Sequence, residues 1–474
     1  MGRNGCSGSR VRRHHDTRSL PRSGARDAAA AVGRHASGLW FSRWVQVTQK
    51  PRGSNSFTLV TQYFPPERGA AQVRLGSIVA DLVGRGNRVD VVTALPNYPL
   101  GKIFPGWSHR PLQSRSENGA KVRRVWVWAS MGSGLGRILN YLSFGVMSVL
   151  GIGVARKSHW VIVEYPTLFG ALPAVLCAKM RRQRIVIIVA DLWVDSIVEI
   201  GTISDGRVVA LLRWAERAML RQADAVTAVT EGVRDALLQK GVTTKQMTWL
   251  PNGADTEMFS PGPQDLAVRA ELGLAAGEHL FLYAGTHGYV HGLEVVLDAA
   301  QELVDEPVRF VLVGGGSEKE SLQQQAATRG LKNVTFLDPV PPEEVARLLR
   351  SCTAGLATVR EGDVYRTIRS AKMLPTMSSG LPVIYSGDDE GSRLVAAAGA
   401  GIVTKPGDGA DLAEAVRLLI SSPERAAELG AAGRNWIESN ASWHQLVGNW
   451  LEQLDQIDVP GVGVAAVSDQ GVSR

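Results

Sequence analysis

Short apolar runs alternate with stretches whose apolar residues recur at helical spacing, and this alternation begins abruptly at Ser56. The run Phe57 to Val60 reads as a strand, and Gln62 to Gly69 as a turn marked by Pro and Gly. Val73, Leu75, Ile78, Val79, Leu82 and Val83 then form one face of a helix. That helix closes at Gly84 to Gly86 before the strand Arg88 to Thr93, completing a β-α-β unit. Ligands of open α/β sheets bind beyond the carboxyl ends of the strands, which is where Gln62 to Gly69 falls. Strand-like runs follow at Trp160 to Val163, Ile185 to Val189 and Ala225 to Val229, with a helix at Val208 to Leu220. A parallel, doubly wound first half is predicted.

The alternation pauses at the Asn252-Gly253 turn and the Pro-rich stretch Ser260 to Pro263, then restarts at His279. Strands are expected at Phe281 to Ala284, Phe310 to Val313, Val334 to Phe336, Ala354 to Ala357, Val383 to Tyr385 and Gly401 to Val403. Helices are expected at Gly292 to Leu303, Glu318 to Arg329, Pro342 to Arg350 and Asp411 to Ser421. The fold class is therefore α/β, with two doubly wound, Rossmann-like domains facing a central cleft. Their bounds are read as 56–258 and 262–440, followed by a helix at 441–457 that packs back on the first domain and a disordered tail at 458–474.

Two stretches of the first half are almost continuously apolar, Leu139 to Ala155 and Leu168 to Met180, each followed by basic residues. Both are shorter than the roughly 20 residues that a spanning helix needs, and glycines interrupt both. They read either as buried or cleft-lining helices or as an interfacial element gripping a membrane.

A length of 474 residues with 45% apolar composition allows two or three well-buried cores. The net charge of +7 could indicate a nucleic-acid binder, but residues 1–55 carry eleven Lys and Arg against Asp16 and Asp27. The remainder is slightly acidic, so no nucleic-acid partner is expected. The tail lacks the apolar core of a secretory signal and reads as disordered, as an electrostatic tether to anionic lipid, or as sequence upstream of the true start. Cys6, Cys177 and Cys352 are too few and too scattered for a disulfide framework or zinc site. A cytoplasmic protein, at most bound to the inner face of the membrane, is expected.

Six segments carry a more specific pattern: Tyr63 to Pro99, Val189 to Ser196, Ala228 to Phe259, Tyr283 to Ala300, Phe310 to Leu322 and Asn333 to Pro341. In their order and spacing they resemble the family 4 retaining glycosyltransferases of GT-B architecture, in particular the polysaccharide-building branch. The resemblance covers about Phe57 to Leu454 and implies hexosyl transfer, with retention and without a metal or bound cofactor, from a nucleotide-diphosphate sugar to a polysaccharide or lipid-linked glycan. No Asp-x-Asp pair occurs in the sequence, which argues against a metal-dependent transferase of the other common architecture.

A donor diphosphate is well placed against backbone N–H groups where a strand turns into a helix, and Gly285, Thr286, His287 and Gly288 form such a loop. Gly314 and its neighbours either face the donor as well or only tighten the chain. Val340, in the segment Asn333 to Pro341, is placed on the donor side by the resemblance. Lys372 is the foremost phosphate-binding candidate, with Arg369 and Arg366 behind it; a solvated basic helix face is the alternative. Gly69 is expected to close over the cleft from the first domain. Asp191, where the wider family has an acceptor-side His, is the candidate to orient the acceptor hydroxyl or take its proton, with a helix cap as the alternative.

One departure stands out. The family's two glutamates eight residues apart correspond here to Thr367 and Pro375, leaving Glu361 and Asp363 as nearby carboxylates. This keeps two rivals open: a non-catalytic scaffold subunit, and a nucleotide-sugar epimerase of the same architecture.

Overall fold

The computed structural model describes residues 55–458 except 68, 99, 131–133, 166, 200–205 and 367–368. The basic tail, the last residues of the chain and Thr367 thus lie outside the described residues.

The first half runs β1 (Ser56–Val60), α1 (Ala70–Gly84), β2 (Arg88–Ala94), β3 (Leu112–Glu117), β4 (Ala120–Val125), α2 (Leu135–Val154) and β5 (Trp160–Glu164). It continues with α3 (Leu168–Met180), β6 (Arg184–Val189), α4 (Trp193–Glu199), α5 (Gly206–Leu220), β7 (Ala225–Ala228), α6 (Glu231–Gln239) and β8 (Met247–Trp249). The sheet order is β3-β4-β2-β1-β5-β6-β7-β8, with every pairing parallel except β3 with β4. The wholly parallel sheet expected from the sequence is thus corrected by an antiparallel edge hairpin. Its strands read LQSRSE and AKVRRV, too polar to register as strands. The inner strands β5 and β6 read WVIVE and RIVIIV and are almost wholly buried, as strands covered by helices on both faces must be.

The second half runs α7 (Leu266–Glu271), β9 (His279–Ala284), a 3-10 turn at Tyr289–His291, α8 (Glu294–Glu302), β10 (Val308–Val313), α9 (Lys319–Thr328), β11 (Val334–Leu337) and α10 (Pro342–Leu349). Then follow β12 (Ala354–Thr358), a 3-10 turn at Asp363–Tyr365, α11 (Met373–Ser378), β13 (Val383–Ser386), α12 (Glu390–Ala398), β14 (Gly401–Thr404), α13 (Gly409–Ser421), α14 (Pro423–Asn440) and α15 (Trp443–Asp458). Its order, β11-β10-β9-β12-β13-β14, is parallel throughout. The helix expected from Gly292 begins instead at Glu294, because Gly292 ends the preceding 3-10 turn in the left-handed conformation, φ 53°.

In each sheet the winding reverses beside the first strand, β1 against β5 and β9 against β12. Ligand crevices form at such reversals. On one face of the first sheet α2, α3 and α5 share a core that includes Phe144, Val175 and Met219. On the other face, α1 shares a core with Trp443, Val447 and Trp450 of α15, whose Trp450 Nε1 donates to Thr227 Oγ1 at 3.0 Å. The chain therefore passes between the halves twice, and the two passages touch at the bridge between Ala254 and Ser442.

Candidate functional site

At the carboxyl end of β9 two glycine turns are stacked. A Cβ on Gly314 would fall 1.9 Å from the Gly285 carbonyl oxygen, and one on Gly316 would fall 2.3 Å from that of His287. His287 N donates to Gly315 O at 2.9 Å, and Glu318 N donates to His287 O at 3.0 Å. The turn at Gly314 thus supports the loop at Gly285, and only residues without side chains allow the approach. His287 is fully buried between Tyr283 and Phe336, and neither ring nitrogen has a hydrogen-bond partner. Burial, followed by the charges of Lys319 and Lys372, lowers its pKa to about 4, so the ring is neutral near pH 7.

Lys372 lies just before α11 and runs across Gly285, where a Cβ would come within 2.2 Å of Lys372 Cε. Its Nζ is 3.1 Å from His291 Nε2 and 5.5 Å from the Tyr283 ring centre. Burial lowers the lysine to about 8; burial and then the lysine's charge lower His291 to about 3. The ammonium therefore meets a neutral imidazole where an anion would be expected.

Lys372 and His291 are half-buried, but Arg369 is buried, its side chain only 2% exposed, and Glu390 Oε1 is 3.8 Å from its Nη1. Its Nε and Nη2 have no partner. Glu390 Oε2 accepts from Glu231 N at 3.1 Å, joining α12 of the second half to α6 of the first. A solvated basic helix face therefore does not describe Arg369. It does describe Arg366, which is exposed and paired with exposed Asp363 at 3.1 Å. Glu361 is exposed too, and Pro375 sits within α11. Thr286 turns its side chain outward while its carbonyl accepts the Tyr283 hydroxyl at 2.7 Å. Val340 is half-buried against a separate apolar cluster.

In the first half Gly69 is exposed and immediately precedes α1. Asp191 is exposed just past β6, and its charge contributes to the raised pKa of Glu164, which burial dominates. Glu164 is buried at the end of β5, accepts from Thr61 Oγ1 at 2.5 Å and pairs with Arg74 at 3.0 Å. Glu67 accepts from the backbone N–H groups of Phe64, Asn97 and Tyr98, yet burial raises it to about 6.

Residues 69–253 match the glycosyl transferase 4-like domain, and residues 265–436 match the glycosyl transferases group 1. Over 310 residues the chain is 30% identical to a protein of Escherichia coli named as a colanic acid biosynthesis glycosyl transferase, WcaI, covering 63% of this chain and 75% of that one. The chain belongs to the group 1 glycosyl transferases. A second relative of this glycosyl transferase is the D-inositol 3-phosphate glycosyltransferase of Nocardia farcinica, 29% identical over 238 residues; the match covers 47% of this chain and only 51% of that relative. Among solved structures, Anabaena HepE in complex with UDP-glucose matches 85% of this chain and 99% of its own at a TM-score of 0.62 and 17% identity. The fold is GT-B.

Two residues of this group 1 glycosyl transferase escaped the sequence reading. Glu390 stands beside Arg369, and Arg74 neutralises Glu164 at the end of β5. Glu67 and Arg74 lie in the segment Tyr63 to Pro99 that carries the family pattern, which is the only signal that pointed at them.

Proposed function

We infer that the protein transfers a hexosyl unit, with retention and without a metal, from a nucleotide-diphosphate sugar to a polysaccharide or lipid-linked glycan. The observation that carries this reading is the crossing of Lys372 over Gly285, with partnerless nitrogens on buried Arg369 in the same half. Cationic nitrogens withdrawn from water without hydrogen-bond partners are unfavourable alone and favourable once an anion arrives. In the transfer, the bond from the sugar's anomeric carbon to the diphosphate oxygen breaks, its electrons leave with the diphosphate, and an acceptor hydroxyl oxygen bonds to that carbon. Lys372 and Arg369 take up the charge on the leaving group, which is the role that preorganised donors play elsewhere. Asp191 is the group proposed to orient the hydroxyl or accept its proton. The name of WcaI supports a polysaccharide acceptor, and the UDP-glucose bound by HepE supports a nucleotide-sugar donor. The reading includes a cytoplasmic site of action, consistent with the free thiols of Cys177 and Cys352.

A second reading is a non-catalytic scaffold, favoured by Pro375 at a position where the resembled family carries a carboxylate. Calorimetry of the full chain with UDP, GDP, TDP and ADP separates the two. Selective binding of one nucleotide, lost in Lys372→Ala, is the outcome expected of a transferase. Binding of none would leave the scaffold.

A further inference from the structure

We propose that the outward face of α2, α3 and α5 is a docking surface for a bilayer containing anionic lipid. The inner faces of these helices already share one core against the sheet. Gly145 and Gly151 hold α2 there: a Cβ on the first would lie 2.2 Å from Phe169 O, and on the second 2.4 Å from Val92 Cγ1. At 20 residues α2 is long and apolar enough to cross a membrane, but a helix fixed to a sheet along its length lies in an interface instead. Its outer face is apolar too. Leu142, Val146 and Leu150 follow each other at helical spacing, with Val146 67% exposed. On α5, Leu211 and Trp214 are 62% and 65% exposed. Large apolar side chains exposed together on one side of a domain mark an interaction site.

Charge identifies the partner. Neither α2 nor α3 contains an Asp or Glu, and the one acid of α5, Glu216, is buried, where it accepts from Tyr165 Oη at 2.7 Å and from Lys240 Nζ at 2.5 Å. Arg156, Lys157, Lys179, Arg182, Arg217 and Arg221 are all exposed and all lie in or just past the last turns of these helices. Each helix leads into a parallel strand, so the three run in one direction and their cations gather at one end. A second copy would set cation against cation; anionic headgroups would not. Trp214, with an apolar ring and a polar N–H, suits the boundary between acyl chain and headgroup.

The opposite end of the face adjoins polar side chains of the loop after β1. Arg137 Nε donates to Tyr141 Oη at 2.7 Å, and Arg137 and Tyr141 both lie close enough to Tyr63 to influence its ionisation. Resting on the function proposed above, this would let a lipid-linked acceptor reach the first half directly from the bilayer.

The test is co-sedimentation of the full chain with vesicles of phosphatidylcholine, alone or mixed with phosphatidylglycerol, beside the double variant Val146→Glu, Leu211→Glu. Both positions are exposed, so circular dichroism and melting temperature should match the wild type. Wild type should pellet with the mixed vesicles only, and the variant should bind them about tenfold more weakly. Equal pelleting of the two would overturn the proposal and assign binding to the basic residues of 1–55. Pelleting of neither would also overturn it, as would a wild-type dimer in light scattering that the variant abolishes. Nucleotide binding is read separately, so failure of the transferase reading would leave vesicle binding intact.

Discussion

The two halves are wound alike but dispose of their buried charges differently. In the first, buried guanidinium groups meet carboxylates within the same half: Arg74 with Glu164 at 3.0 Å, Arg124 with Glu117 at 3.0 Å, and Arg123 with Asp90. In the second, the closest carboxylate to buried Arg369 is 3.8 Å away, and Lys372 faces a histidine. A half that neutralises its own charges is a finished framework. One that leaves cations without close anions gives up stability that a ligand can restore.

The largest effect expected from breaking that contrast is in the first half. Arg74→Ala strands Glu164 in the core and should destabilise the protein by about 3–5 kcal/mol in urea unfolding; a loss under about 1 kcal/mol would mean the ion pair is not structural. Gly314→Ala comes next, since its new methyl group collides with the Gly285 carbonyl. Overpacking of this kind should lower stability by about 1–3 kcal/mol and weaken nucleotide binding together, both measurable on one sample by thermal shift with and without UDP. Lys372→Ala should separate the two quantities. It removes a charge-assisted contact, so nucleotide affinity should fall about tenfold or more by calorimetry while the melting temperature holds or rises.

The smallest effects are with pH. Lys372, at about 8, loses its charge well below the ordinary lysine range, so nucleotide affinity should decline above pH 8 and persist in Lys372→Arg, whose guanidinium stays charged. His287 and His291 titrate near 4 and 3, below the ordinary histidine value. The unfolded chain therefore binds more protons over that interval, and stability contributed by the neutral rings is present above about 6.5 and lost as pH falls toward 4. His287→Phe should flatten that part of the stability profile if burial of the ring is its cause.

Much of this was legible in the sequence because it depends on local signals. Apolar runs such as RIVIIV announce a strand covered on both faces, and Gly285 and Gly314 announce turns that follow strands. What escaped depends on partners distant in the chain. Glu390 was unremarkable until α12 set it between Arg369 and the start of α6, and Arg74 sits 90 residues from the carboxylate it neutralises. The β3–β4 hairpin escaped for another reason: an edge pair with polar side chains lacks the alternation by which strands are recognised. Nor could spacing tell a half-buried cation from an exposed one, and Lys372 and Arg366 differ in this way within one short segment.

The helix α15 has a consequence for the order of events during synthesis. Trp450 reaches back to a hydroxyl 223 residues earlier in the chain, and Gln453 holds both backbone groups of Trp249. On the ribosome the first half therefore emerges with one face of its sheet covered only in part, by α1, and stays so while the second half is translated. The half that is made first is finished last, and its open face is the part of the nascent chain most in need of a chaperone.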